Sequence, residues 1–274
     1  MKTPLSKVLI RLSILIIILA IIASFSGLFA GSIYRDNEFV KAVWIGNDLI
    51  TICIIIPTMI MALFFANHHS VKAQLILMGT FWYMLYNYIF YMYGAAFNEL
   101  FLIYVSIFTL SAYALILALM YTDFATLKKY IIYKTPVKWI SGFMIFFALC
   151  IGGLWVAQSL SFAFTNELPI GISQTDHPTS VVFATDLSLL VSTLVVGAIL
   201  LWNKKIWGYV ISIIVMTKCV IYPLVLLVGS IFAFKRTGIL DTLLPFYMLL
   251  WLGALATFIY LLKYTIKQKF ILKS

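Results

Sequence analysis

Charge is scarce in this sequence. Only 10% of its 274 residues are Asp, Glu, Lys or Arg, against about 25% in soluble domains. No stretch is polar enough to fold as a separate aqueous domain. Cysteine is almost missing: Cys53, Cys150 and Cys219 all lie in apolar runs without Cys-x-x-Cys spacing, which points to packed thiols rather than a redox or metal centre. A Gly-x-x-x-x-Gly-Lys-[Ser/Thr] phosphate loop, a His-Glu-x-x-His and a Gly-x-Ser-x-Gly are all absent. ATP-driven transport by this chain alone is therefore not expected. Asp176-His177-Pro178 reads as a turn. No metal and no cofactor are expected.

What the chain has instead is apolar length. It is 64% hydrophobic with a mean hydropathy of +1.09, the composition of an all-α, polytopic transmembrane bundle forming one membrane domain over residues 1–274. About 20 apolar residues cross a hydrocarbon core of about 30 Å. On that measure eight spans are expected, at 8–30, 43–66, 75–96, 100–122, 138–163, 180–202, 206–233 and 242–262. The first run is longer than a signal-peptide core and is read as a retained helix.

The net charge of +10 is a topology signal rather than a nucleic-acid footprint. Of the 19 Lys and Arg residues, 14 fall on the side of the N-terminus, Arg35, Lys41, Lys235 and Arg236 fall on the other, and Lys218 lies inside a span. The expectation is a multi-pass protein of the cytoplasmic membrane with both termini in the cytoplasm. The acidic residues show the reverse bias. They either fill places that basic residues avoid or form an outward mouth of negative potential.

Two charges sit where lipid would not tolerate them. Asp186 lies near the start of the sixth span and Lys218 near the middle of the seventh, at depths that let them pair, and charges at such depth are read as functional. In the third span Asn87, Tyr91, Gly94 and Asn98 share a helical face among many phenols. That face is either an interhelical hydrogen-bonding surface or an aromatic wall for a cation. Asp48, in the second span, either caps a helix beginning at Asn47 or joins the same site. Gly27 and Gly31, and likewise Ala148 and Gly152, have the spacing of close helix packing.

Short matches recur in order: Gly27-Leu28-Phe29 with Gly153-Leu154-Trp155, Asn37-Glu38 with Asn166-Glu167, Asn47-Asp48-Leu49 with Thr185-Asp186-Leu187, and Asn67-His68-His69 with Asn203-Lys204-Lys205. They suggest a four-plus-four parallel repeat with halves 1–127 and 128–274, in which Asp48 and Asp186 are equivalent. Residues 86–108 and 177–210 resemble segments of an uncharacterised group of multi-pass bacterial integral membrane proteins; the resemblance brings no activity with it.

The functional expectation is a permease or solute-binding carrier for a small cationic or zwitterionic solute. Its water-accessible, outward-open cavity would be lined by Asp48, Asn87, Asp186, Lys218, Tyr83, Tyr91 and Tyr222. Membrane lipids and a small solute are the expected partners, without nucleic acid. The competing classes are a partner-binding membrane subunit, an intramembrane lipid-modifying enzyme using Asp186 or Lys218 as base, and a receptor with a Schiff-base chromophore on Lys218.

Overall fold

The computed structural model describes residues 5–131, 135–238 and 240–265. Lys2, Lys134, Lys267, Lys269 and Lys273, used above for topology, lie outside them. The described chain is all-helical: α1 Lys7–Phe29, α2 Glu38–Asn67, α3 Val71–Tyr93, α4 Phe101–Met120, α5 Phe124–Tyr130, α6 Val137–Thr165, α7 Ile170–Ser173, α8 Val181–Trp202, α9 Ile206–Thr237 and α10 Leu244–Thr265. Seven of these, α1, α2, α4, α6, α8, α9 and α10, are long and apolar enough to cross a membrane. Helix α3 matches α1 in length, but its tyrosines, Gln74 and Asn87 make it more polar, and most of it is buried.

Side-chain caps set several helix starts. Ser6, Asn37, Ser70 and Ser180 each accept the backbone N–H three residues on, supplying an acceptor that the first turn lacks. Asn37 moves the start of the second span from the expected 43 to Glu38. Asp48 is thus well inside α2, and the capping role for it falls away.

Helices α2 and α8 share an irregularity. Each contains a π-helical segment, Thr51–Ile55 in α2 and Asp186–Val191 in α8. In α2 the segment runs into Pro57, which has no N–H to give a regular ladder. In α8 the hydroxyls of Ser188 and Ser192 donate to carbonyls of the turn before them, where the widened ladder leaves acceptors. Such segments concentrate at functional sites.

The helices that follow are joined on by the same turn. His68 N–H bonds to Phe64, His69 to Ala66 and Ser70 to Phe65; Asn203 bonds to Ile199, Lys204 to Leu201 and Lys205 to Leu200. His69 and Lys204 both take positive φ, 65° and 53°. In this register Thr51 corresponds to Asp186, Val71 to Ile206, Tyr83 to Lys218 and Asn87 to Tyr222, at constant separation. Burial follows it closely: Ile55 and Leu190, Met59 and Leu194, and Ala66 and Leu201 are all buried. The expected match of Asp48 with Asp186 is therefore displaced by one helical turn. The match of Asn37 with Asn166 also fails, because Asn37 opens α2 whereas Asn166 ends α6 with φ 58°.

Packing places α9 at the centre, against α2, α3, α8 and α10, while α1 packs on α2 and α4, and α6 on α8 and α10. Gly46 of α2 and Gly229 of α9 let the two backbones meet: a Cβ on Gly46 would lie 2.7 Å from Gly229 Cα. At that end of the bundle Arg236 of α9 pairs with Glu38 of α2 at 2.7 Å. Asn37 donates to Gln174 O at 2.9 Å and Asp176 Oδ2 at 3.0 Å.

Candidate functional site

Three polar clusters lie inside the bundle, and α3 contributes to each. In the first, Asp48 accepts hydrogen bonds from Tyr34 on Oδ2 and from Tyr91 on Oδ1, the latter at 3.0 Å. Gly27 of α1 faces the same carboxylate and the Tyr34 hydroxyl, so closely that a Cβ there would strike both. Tyr34 lies in the link between α1 and α2, where burial and then the neighbouring Asp48 carboxylate push its phenol well above its ordinary ionisation range. No salt bridge reaches Asp48 among the described residues. Its helix, together with the Tyr91, Trp44, Tyr88 and Tyr104 rings, isolates it from water.

The second cluster is neutral. Asn47 Nδ2 donates to Asn87 Oδ1 at 2.7 Å and Tyr83 donates to Asn47 Oδ1 at 3.3 Å. Asn87 Nδ2 has no partner among the described residues.

The third holds the ion pair expected from the sequence. Lys218 Nζ lies 3.8 Å from Asp186 Oδ1, with Lys218 1% and Asp186 6% exposed. The carboxylate also accepts from Tyr86 on Oδ1 and from Trp155 Nε1 on Oδ2, at 2.8 Å. Lys218 Nζ stands 3.7 Å from the centre of the Tyr86 ring and 4.2 Å from that of Tyr222. The two rings meet edge to face. Trp155 is held by stacking on Phe183 at 4.2 Å. Asp186 begins the π segment of α8, Tyr86 comes from α3, Trp155 from α6, and Lys218 and Tyr222 from α9. The pair is thus built from four helices. One lone buried charge would be costly, but two charges with this many partners can be held.

The seven expected site residues therefore do not form one lining. Asp186, Lys218 and Tyr222 come together, Asn87 and Tyr83 belong to the asparagine cluster, and Asp48 and Tyr91 to the carboxylate–phenol cluster. Nor is there an open mouth at them. Asp48, Asn87, Asp186, Lys218, Tyr83 and Tyr91 are buried and Tyr222 is half-buried, with aromatic rings packed beside Tyr91 and Tyr222. Tyr86, Trp155 and Tyr34 were not singled out by the sequence: an aromatic N–H or O–H becomes informative only once its acceptor is located. Among the described residues no group of three His, Cys, Asp or Glu could hold a metal ion.

No family model, curated protein or solved structure matches the chain.

Proposed function

We propose that this protein is a membrane carrier for a small cationic or zwitterionic solute, with the Asp186–Lys218 pair at its substrate site. The observation that carries this reading is the position of the pair. It sits where α3 meets α8 and α9, and Asp186 opens a π segment whose counterpart recurs in the same register in α2. A charged pair at such a place is stabilised in one conformation and available to a substrate in another.

The carrier has eight spans in this reading, α3 being the third, arranged as two parallel four-helix repeats, 1–127 and 128–274, within one domain. Support comes from the shared turn, the matching burial and equivalent neighbours. The ring α1, α2, α3, α4 corresponds to α6, α8, α9, α10, and the halves touch through α2, α3, α8 and α9. The basic residues favour a cytoplasmic membrane location with both termini inside. The ties from Arg236 to Glu38 and from Asn37 to Asp176 would then close the outer face, making this an occluded conformation of the expected outward-open cavity. Asp186 has both carboxylate oxygens engaged, which favours recognition over a role as enzymatic base.

The test is uptake of labelled solutes into proteoliposomes offered a panel of amines, amino acids and betaines. Uptake by the wild type that is lost in Asp186→Asn supports the carrier. Equal flux in empty liposomes across the panel would remove it.

A further inference from the structure

Lys218 carries three N–H donors into a buried place where its counterion, the Asp186 carboxylate, stands beyond hydrogen-bonding distance. Its neighbours are Asp186 Oδ1 at 3.8 Å and the faces of Tyr86 and Tyr222 at 3.7 and 4.2 Å. The carboxylate cannot turn to provide a better acceptor without losing other bonds, since Oδ1 already accepts from Tyr86 and Oδ2 from Trp155. A buried donor left without an acceptor is unfavourable, and a primary ammonium is a strongly hydrated point charge. The surroundings fit a different cation better: one whose charge is spread over methyl groups and which has no N–H to satisfy. Aromatic faces beside a single carboxylate are the means by which such cations are bound.

We propose that Asp186, Tyr86 and Tyr222 form a recognition site for a methylated ammonium group, filled in this conformation by the chain's own Lys218. The inference rests on the carrier reading and names its substrate class. Exchange needs no covalent step. The lysine swings aside as the ligand enters, so the carboxylate is not left without a counterion. The methylated ammonium belongs either to a free solute or to a lipid headgroup.

The full chain, purified into nanodiscs free of choline lipids, is titrated with choline and with its uncharged carbon isostere, dimethylbutanol, and followed by calorimetry and thermal unfolding. Lys218→Ala should bind choline about tenfold more tightly than the wild type, because the internal competitor is gone, and should ignore the isostere. A Lys218→Ala protein of wild-type helicity that binds choline no better than dimethylbutanol overturns the proposal. If that variant does not fold, the wild type decides. Saturating choline should raise its melting temperature but not that of Tyr222→Leu, and no rise in the wild type overturns the proposal. Where free choline stabilises, a larger effect of added phosphatidylcholine assigns the site to a headgroup and a smaller one assigns it to a free solute. Choline binding without flux of any solute removes the carrier reading alone; flux of other cations without a preference for choline removes this inference alone.

Discussion

Asp186 and Lys218 each lie where the other's removal would be expensive. Replacing Lys218 by Met leaves a buried carboxylate facing two rings, and replacing Asp186 by Asn leaves a buried ammonium; losses of about 3–5 kcal/mol follow for such broken pairs. The double variant should be more stable than either single one, which unfolding in detergent measures, and a double variant at or below the weaker single variant would contradict the pairing. Asp48 is a different case, because its donors are neutral phenols. Tyr91→Phe deletes one of two bonds to a buried carboxylate and should cost about 1–3 kcal/mol. An unchanged melting temperature would mean that Tyr34 alone suffices. These residues were not equally legible in the sequence. Asp186 and Lys218 stand out because charge is rare in apolar runs, and helical rise alone put them at matching depth. Trp155 and Tyr86 do not stand out, since the chain has 7 Trp and 16 Tyr and nothing in spacing says which one meets a carboxylate.

At the level of helices, most boundaries could be read from apolar runs, but the start of α2 could not. Asn37 caps it well before the apolar stretch, so a polar, amphipathic first part was mistaken for loop. The π segments were also invisible, because widened turns follow from backbone strain and hydroxyl capture rather than from a pattern of residue types. Asp48 pairs with Asp186 on sequence only because each precedes a Leu, and that likeness lies one turn out of the register set by the shared turn. The approach of α2 to α9 yields an asymmetric prediction. A methyl on Gly46 would press on the backbone of Gly229, which has no side chain to move aside, whereas a methyl on Gly229 meets Val43 Cα at an ordinary 3.5 Å. Gly46→Ala should therefore destabilise by about 1–3 kcal/mol, as overpacking does, and Gly229→Ala should be nearly neutral. Equal losses in chemical unfolding would show that the helices do not meet in this way.

For the molecule as a whole, the charge asymmetry predicts sidedness. With Cys53, Cys150 and Cys219 replaced, a cysteine at 170 should react only with reagent outside the cell and one at 204 only after permeabilisation; the reverse pattern would invert the topology. The all-helical class and seven of the expected apolar spans were legible because bilayer thickness and composition constrain them, while the partition of polar groups into three clusters was not, because it depends on which helices touch. The register that sets Thr51 against Asp186 and Tyr83 against Lys218 has one more consequence. In the proposed repeat the first half carries uncharged Thr51 and Tyr83 where the second half has an ion pair. The chain thus contains its own blank. Grafting Thr51→Asp with Tyr83→Lys tests whether one half can be taught what the other does, and binding stoichiometry would count the lesson: one equivalent before, two after.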